Sequence, residues 1–328
     1  MGLFFANNNQ NIRDMVDMNI ICASDDKYAP YCGAMITSLL ENNKNHSVTV
    51  YVLSSDMGEL NRTKFEQLSS YYHQKINIVW VDSSEYSQLP LGNFSNITKE
   101  AYFRLSIPSL LKGVDKVLYL DCDMIVRHDL GELYETNLYN IAICGIQDCQ
   151  SMIKNGPQRL GYDDSYSYFN SGMGLWNLDY MRSFDFEGKM KTFIQNESAK
   201  ILYHDQDILN AVCYGRYKET SVRWNMLSCF LMQKPDISEN RLADLNRWIE
   251  NPGIIHYSAK YKPWNKECKH PYKAEFWKYV GLSPWADLKE ERRFKGKDAM
   301  VVWAKLAAKR YLAMLGRKEY VYRELKLR

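Results

Sequence analysis

Short apolar runs alternate with amphipathic stretches along the first half of the chain. Five runs rich in apolar and β-branched residues have the length and composition of buried strands: residues 19–23, 48–53, 76–81, 116–120 and 141–146. Apolar residues recur at helical spacing in the intervening stretches 34–40, 57–72 and 98–112. Strands that alternate with helices predict an α/β fold, in which a mostly parallel central sheet is flanked by helices.

Composition divides the chain into three parts. Residues 19–280 contain no linker rich in Gly, Pro or Ser, so we predict a single domain over this range. Residues 1–18 form a polar leader, and residues 281–328 form a basic tail. Apolar residues at helical spacing predict a helix within that tail, between 298 and 315: Met300, Trp303, Ala307, Tyr311 and Met314.

The net charge of +3 averages two unlike parts of the chain. Residues 289–328 carry 13 Lys and Arg against 5 acidic residues, a net charge of +8, which leaves −5 on the rest. A basic helix with aromatic residues suits an anionic membrane surface, so we predict peripheral association with the inner face of the membrane. The alternative is a terminal helix that packs on the body and keeps its charges solvated. Nucleic acid is not an expected partner, because no recognised nucleic-acid-binding module is found.

Two absences bear on localisation. No stretch approaches the roughly 20 apolar residues that span a bilayer, and the apolar run at 3–6 is too short for a signal peptide. We therefore predict a cytoplasmic protein. The cysteines are scattered without a C-x-x-C pair, and we predict reduced thiols, most of them in the core: Cys22, Cys32, Cys122, Cys144, Cys149, Cys213, Cys229 and Cys268.

Acidic residues follow two of the predicted strands. Asp25 and Asp26 come after the first strand, and Asp121 and Asp123 lie between the fourth strand and the apolar run 124–126. In open α/β sheets, ligands bind beyond the carboxyl ends of the strands. Two carboxylates within apolar sequence are costly unless a cation pairs with them, and hard divalent cations take oxygen ligands. The spacing therefore indicates a metal site at Asp121 and Asp123, with a solvated turn or a helix N-cap as the alternative.

Other short motifs narrow the possible chemistry. No G-x-G-x-x-G follows the first strand and no G-x-x-x-x-G-K-[ST] occurs, which disfavours a dinucleotide-dependent dehydrogenase and a P-loop NTPase. A second D-x-D, formed by Asp205 and Asp207, shows that this motif alone is weak evidence.

Five segments, taken together and in this order, resemble glycosyltransferase family 8: residues 19–28, 119–126, 168–172, 204–210 and 255–264. This family includes the retaining bacterial lipopolysaccharide galactosyl- and glucosyltransferases, with glycogenin as a distant relative. The resemblance extends from residue 19 to about residue 265. It implies a GT-A fold with a Rossmann-like sheet, a UDP-galactose or UDP-glucose donor, and Mn²⁺ (or Mg²⁺). It also implies a glycan or lipid-linked acceptor in lipopolysaccharide or other surface-glycan synthesis.

The resemblance gives each candidate residue a role by position. The implied metal ligands are Asp121, Asp123 and His256. The implied contacts to nucleotide and diphosphate are Ala23, Asp25, Tyr28, Arg104, Asp121, Cys122, Ala259 and Lys262. The implied sugar-binding and catalytic residues are Asp148, Asn170, Asp205 and Gln206. Lys27 stands where several relatives have Asn, so the ribose contact at that position is not carried over.

Structural alternatives stand beside these roles. The alternatives are a core histidine for His256, a helix cap for Asp25, surface charges for Arg104 and Lys262, a plain turn for Asn170 and a helix start for Asp205.

Retention of anomeric configuration implies either a covalent intermediate or attack from the face of the leaving group. The amide of Gln206 is neutral and delocalised, which makes it a poor nucleophile, so we favour the second route. The departing diphosphate then accepts the proton of the acceptor hydroxyl. Two competing hypotheses are a sugar-nucleotide hydrolase or nucleotidyltransferase with the same metal site, and a degenerate member that binds sugar nucleotides without catalysis. The residue types do not decide between galactose and glucose.

Overall fold

The computed structural model describes residues 15–86, 89, 100–153, 155–293, 304, 305, 307, 308, 311, 315 and 322–325. Its strands are β1 (Asp17–Ala23), β2 (Ser47–Ser54), β3 (Lys75–Trp80), β4 (Lys116–Leu120), β5 (Met124–Val126), β6 (Ile143–Gly145), β7 (Met173–Asn177), β8 (Tyr217–Glu219), β9 (Met226–Leu227) and β10 (Ile254–His256). Its helices are α1 (Ala29–Asn42), α2 (Glu59–Tyr72), α3 (Glu100–Phe103), α4 (Ile107–Leu110), α5 (Gly131–Tyr134), α6 (Gln150–Ile153), α7 (Gly156–Leu160), α8 (Leu178–Ser183), α9 (Phe186–Glu197), α10 (His204–Cys213), α11 (Leu242–Trp248) and α12 (Lys273–Gly281).

Seven strands form the central sheet in the order β3-β2-β1-β4-β7-β6-β8. β1 pairs in parallel with β2 and β4, β2 pairs in parallel with β3, and β6 with β8. β7 runs antiparallel to both of its neighbours, β4 and β6. The prediction of an α/β fold with a mostly parallel central sheet is confirmed.

Both faces of this sheet are covered, which explains why its central strands are apolar at consecutive positions. In β1, Ile20 belongs to the apolar layer on the α1 side, and Ile21 belongs to the layer that contains Tyr102 and Trp176. Both residues are fully buried. An alternating pattern would have placed one face of β1 in water.

A three-stranded sheet, in the order β5-β10-β9, positions the residues that were predicted from the sequence to bind a metal. β10 runs antiparallel to β5, with His256 opposite Met124, and parallel to β9. Since β5 begins directly after Asp123, this pairing carries His256 to the end of β4 from a point more than a hundred residues further along the chain.

The stretch predicted as one helix over 98–112 is divided in the structure. It contains α3, a 3-10 turn at Arg104–Ser106 and α4, and residues 98 and 99 lie outside the described residues. Pro108 lies in the first turn of α4, where a missing N–H costs nothing, and it cannot stand in the interior of a longer helix. The predicted strand 141–146 is likewise shorter, since β6 covers Ile143–Gly145 only.

Apolar packing continues past α12. Trp285 is buried, its ring lies 4.9 Å from that of Phe65, and its Nε1 donates to Asn61 at 2.8 Å. Near the C-terminus, the Arg323 amide donates to the Leu231 carbonyl at 2.8 Å. The domain boundary at residue 280 stays a prediction. Most of the predicted tail helix, including Met300, Trp303 and Met314, lies outside the described residues, and none of the helices that are described is both long and apolar enough to cross a membrane.

The prediction that every cysteine is reduced is wrong for one pair. Cys149 and Cys229, 80 residues apart, form a disulfide between the start of α6 and the 3-10 turn Ser228–Leu231. The tertiary fold brings these two segments together, and no local spacing in the sequence indicates their contact. The other six cysteines are buried free thiols, as predicted.

Candidate active site

A cavity of about 830 Å³ opens at the carboxyl ends of β1 and β4. Every residue assigned a site role from the sequence lines it: Ala23, Asp25, Tyr28, Arg104, Asp121, Cys122, Asp123, Asp148, Asn170, Asp205, Gln206, His256, Ala259 and Lys262. These residues come from widely separated parts of the chain, so their meeting in one cavity is a property of the fold.

Three potential metal ligands converge in the cavity. Asp121 and Asp123 lie in the turn between β4 and β5, and His256 ends β10. The Nε2 atom of His256 lies 4.0 Å from Oδ2 of Asp121 and 3.4 Å from Oδ1 of Asp123. One donor atom from each of the three residues lies within 4.8 Å of the others, which is the spacing of ligands around one cation.

A chain of amides fixes the orientation of the His256 ring. The amide nitrogen of Asn225 donates to Asn170 Oδ1 at 3.0 Å, so its oxygen faces Nδ1 of His256, also at 3.0 Å. The imidazole therefore carries its proton on Nδ1 when neutral. Its Nε2 lone pair then points to the two carboxylates, which is the arrangement that metal-binding histidines adopt.

Gly172 leaves room beside the ligands. A Cβ atom at this position would lie 2.5 Å from Cε1 of His256 and 2.6 Å from Oδ2 of Asp121. Only glycine therefore allows the backbone to approach the ligands so closely. The two carboxylates, the oriented imidazole and the space kept by Gly172 fit a hard divalent cation such as Mn²⁺ or Mg²⁺.

Lys262 pairs with one of the carboxylates. Its Nζ lies 2.6 Å from Asp123 Oδ2 and donates to the Tyr257 carbonyl at 2.7 Å. Burial alone would raise the pKa of Asp123, but the charges of Lys262 and His256 lower it below its usual value. The alternative of a solvated surface lysine is wrong, because the Lys262 side chain is only 15% exposed.

Arg104 is also a buried cation, so the alternative of a helix-surface charge is wrong as well. Its guanidinium bridges Asp121 Oδ1 at 2.8 Å and Asp205 Oδ2 at 3.1 Å, and it donates to the Ser171 carbonyl at 2.8 Å. Burial would lower the pKa of Arg104, but the two carboxylates raise it. The Tyr119 ring lies 4.2 Å from the guanidinium carbon, and its hydroxyl donates to Asp121.

A polar pocket lies next to the metal ligands. Gln206 Nε2 donates to Asp148 Oδ2 at 2.8 Å, and Asn170 Nδ2 lies 3.3 Å from the same oxygen. The Ser171 amide donates to Gln206 Oε1 at 3.0 Å. Burial raises the pKa of Asp148, against hydrogen bonds from the Cys149 amide and from the two side-chain amides. Carboxylate and amide groups fixed in this way suit the hydroxyl groups of a sugar.

The second D-x-D has a structural role at its second aspartate. Asp207 is fully buried and accepts hydrogen bonds from Arg159, from the Tyr168 hydroxyl and from two backbone amides. The same Tyr168 hydroxyl accepts from Gln206 Nε2 at 3.1 Å. Asp205 and Gln206 lie in the first turn of α10, so the helix-start alternative is correct for Asp205, and both residues line the cavity.

Asp25 also lines the cavity and holds the turn that precedes α1. Its Oδ1 accepts from the Tyr28 amide at 2.6 Å, and burial raises the pKa of Asp25. The Tyr28 ring lies edge-on to Trp264, with ring centres 6.0 Å apart. The N-cap of α1 is Tyr28, and among the described residues no side chain caps this helix, so the helix-cap alternative for Asp25 is wrong. Asp25 and Tyr28 both line the cavity wall.

Two backbone positions complete this wall. The Ala23 carbonyl accepts from the Cys122 thiol at 3.1 Å, and the Ala259 amide donates to the Ser228 hydroxyl at 3.3 Å. Lys27 is exposed. The wall also includes the Cys149–Cys229 disulfide.

Sequence reasoning missed three residues that hold the site together: Tyr119, Ser171 and Asn225. A signal exists for Asn225, because a polar amide between Trp224 and Met226 in an apolar segment needs a buried partner. Tyr119 and Ser171 lie within the family motifs 119–126 and 168–172, but neither residue by itself indicates a role in the site.

Comparisons with known proteins agree on one family. The model described as "Glycosyl transferase family 8" matches residues 19–268. The chain is 30% identical over 275 residues to general stress protein A of Bacillus subtilis, covering 82% of this chain and 94% of that protein. It is 27% identical over 282 residues to lipopolysaccharide 1,2-glucosyltransferase of Escherichia coli, covering 84% and 82%. The structure of galactosyltransferase LgtC in complex with donor and acceptor sugar analogs is similar with a TM-score of 0.75, at 26% identity, over 81% of this chain and 96% of that one.

Proposed function

Because the chain belongs to glycosyltransferase family 8 and has the GT-A fold of LgtC, we propose that it is a retaining hexosyltransferase. It moves galactose or glucose from a UDP-sugar to a glycan or lipid-linked acceptor of surface-glycan synthesis. The observation that most directly supports this proposal is that Asp121, Asp123 and His256 converge beside the polar pocket of Asp148 and Gln206. The similarity to a lipopolysaccharide glucosyltransferase and to a galactosyltransferase complex supports the substrate class.

Asp121, Asp123 and His256 would hold Mn²⁺ (or Mg²⁺), and this ion supplies positive charge against the diphosphate of the donor. Lys262 adds a second cation at the same place, since its Nζ lies 2.6 Å from Asp123. Arg104 pairs with Asp121 and Asp205. These charges stabilise UDP as it leaves.

The nucleotide lies along the wall built by the end of β1 and the start of α1. The Asp25 carboxylate accepts the uracil N–H, and the Tyr28 ring stacks on the base. Ala23, Cys122 and Ala259 supply close-packed surface along the same wall. Support for this placement comes from the cavity, which Asp25 and Tyr28 line together with the potential metal ligands and the polar pocket.

The hexose lies in the polar pocket, where Asp148, Asn170 and Asp205 accept or donate hydrogen bonds to its hydroxyl groups. Gln206 faces the anomeric carbon. Its amide oxygen already accepts from the Ser171 backbone amide, which further weakens it as a nucleophile. The acceptor hydroxyl therefore attacks from the face of the departing diphosphate and gives its proton to a diphosphate oxygen. Asp205 and Gln206 stabilise the positive charge that develops on the sugar.

A donor screen tests this function. Purified protein is incubated with UDP-galactose, UDP-glucose and other UDP-sugars, and Mn²⁺-dependent release of UDP is measured. We expect one of the two hexoses to be preferred. Asp123→Ala removes a metal ligand and leaves Lys262 without its partner, so the rate falls at least about 100-fold. Gln206→Ala keeps partial activity, because the amide orients and does not bond to the sugar.

Added glycan acceptors separate the competing hypotheses. Transfer of sugar to an acceptor supports the transferase, whereas UDP release with only free sugar as product supports a hydrolase. Calorimetry that detects no Mn²⁺-dependent UDP binding would indicate a non-catalytic family member. Near wild-type turnover by Asp123→Ala would contradict the proposed metal site.

A further inference from the structure

Three free thiols lie close together behind the cavity wall that the end of β1 and the start of α1 build, which we call the nucleotide wall. Cys22 is near the end of β1, Cys32 is in α1, and Cys122 lies between the two aspartates of the metal site. Their Sγ atoms all lie within 4.8 Å of one another, and those of Cys22 and Cys32 are 3.5 Å apart. We call these three residues the thiol cluster.

The spacing of the thiol cluster matches a metal site of a second kind. Thiolate sulfurs bind Zn²⁺ at about 2.3 Å, which places three sulfurs in a plane around one ion about 4.0 Å apart. Adjustments below about 1 Å would therefore bring all three sulfurs into contact with a single ion. Thiolates select soft cations, whereas the carboxylates and imidazole of the neighbouring site accept hard ones.

The tripeptide 121–123 contributes side chains to both the potential metal site with His256 and the thiol cluster. Asp121 and Asp123 turn to His256, and Cys122 between them turns to the apolar layer on the α1 side, where all three thiols are buried. Cys122 is 7% exposed and lines the cavity, while Cys22 and Cys32 are fully buried. An ion can therefore reach the cluster from the cavity, past Cys122.

We propose that Cys22, Cys32 and Cys122 form a binding site for one soft, thiophilic cation, of the class of Zn²⁺, Cd²⁺ or Cu⁺. Each thiol that binds the ion loses its proton to solvent. Cys122 then no longer donates to the Ala23 carbonyl, a hydrogen bond of 3.1 Å in the thiol form. Binding of the ion therefore removes a contact between the turn that carries Asp121 and Asp123 and the backbone of the nucleotide wall.

Cd²⁺ is the probe, because its thiolate complexes have an ultraviolet charge-transfer band that carboxylate and imidazole ligands do not give. The full chain is titrated with Cd²⁺ in the presence of excess Mg²⁺, which occupies the hard site. We expect one equivalent of Cd²⁺ per chain to produce the band. Cys22→Ala and Cys32→Ala should each weaken binding at least tenfold. Cys144→Ala is the matched control, since this buried thiol belongs to no three-ligand group among the described residues.

A second measurement uses only the wild-type chain and so does not depend on the folding of a variant. Alkylation of Cys122, followed by mass spectrometry, should slow at least tenfold when one equivalent of Cd²⁺ is bound. The absence of the band in the wild type would overturn the proposal. So would an unchanged band in Cys32→Ala, a band lost in Cys144→Ala, or alkylation of Cys122 that Cd²⁺ does not slow.

Discussion

At the scale of single residues, the site depends on side chains that touch no substrate. Asn225 is fully buried and lies between His256 and Asn170, so one amide links the potential metal ligands to the polar pocket. Its nitrogen is committed to Asn170, and its oxygen therefore selects the His256 tautomer. Removing this amide leaves the imidazole free to take the tautomer that points a proton at the carboxylates.

We therefore expect Asn225→Ala to weaken Mn²⁺ binding about 10- to 100-fold. Metal affinity is measured by calorimetry, with circular dichroism as the test of folding. Asn246→Ala, at an exposed position, is the matched control. Unchanged affinity in a folded Asn225→Ala protein would show that the ring is oriented by other contacts.

At the scale of secondary-structure elements, the sequence predicts best where one local property decides the structure. The run 116–120 predicts β4 without error, because a strand buried on both faces is apolar throughout. The spacing of apolar residues over 98–112 predicts one helix. Pro108 cannot lie in the interior of a helix, so a new helix, α4, begins at Ile107 within that stretch. Most candidate site residues were identified because they lie in local family motifs. Asn225 and the disulfide were not, since their partners are distant in sequence.

The disulfide ties two elements of the cavity wall, the start of α6 and the 3-10 turn at Ser228–Leu231. Closing a loop of 80 residues lowers the entropy of the unfolded chain, and native disulfides contribute about 2–4 kcal/mol. We expect the double variant Cys149→Ser, Cys229→Ser to lose stability by this amount in urea denaturation without reductant. With reductant, the wild type should fall to the stability of the variant. Equal stability of both proteins without reductant would show that the bond is not formed in solution.

At the scale of the whole molecule, stability responds to pH through His270, which joins the body to the end of the chain. It is buried between Tyr257 and Tyr322, with ring centres 4.7 and 5.3 Å away. Burial, followed by the nearby charges of His256 and Lys262, lowers the pKa of His270 to about 3. Between about pH 3 and pH 6.5, His270 is therefore neutral in the folded state and protonated in the unfolded state, whose histidine pKa is about 6.5.

Stability from this residue is complete above about pH 6.5 and declines as the pH falls toward about 3, because the unfolded state then binds more protons. The slope is at most about 1.4 kcal/mol per pH unit. We expect His270→Gln to flatten the dependence of the unfolding free energy on pH between about 6 and 4. His73→Asn, at an exposed position, is the control and should keep the wild-type slope. A slope that is the same in His270→Gln would assign acid sensitivity to other groups.

The charge asymmetry of the whole chain gives the last prediction. The catalytic body is acidic and the last 40 residues carry a net charge of +8, so the two parts respond oppositely to an anionic surface. Each basic residue near such a surface contributes about 1 kcal/mol, which is roughly a fivefold change in affinity. The triple variant Lys305→Glu, Lys309→Glu, Arg310→Glu should therefore lose at least about 100-fold in binding to phosphatidylglycerol vesicles, measured by co-sedimentation at low salt. The same charge change at exposed positions of the body, Lys112→Glu, Lys189→Glu, Lys191→Glu, is the matched control.

If both variants weaken binding equally, net charge drives adsorption and the tail has no special part in it. If the wild type does not bind these vesicles, the predicted association of the tail with the membrane is wrong.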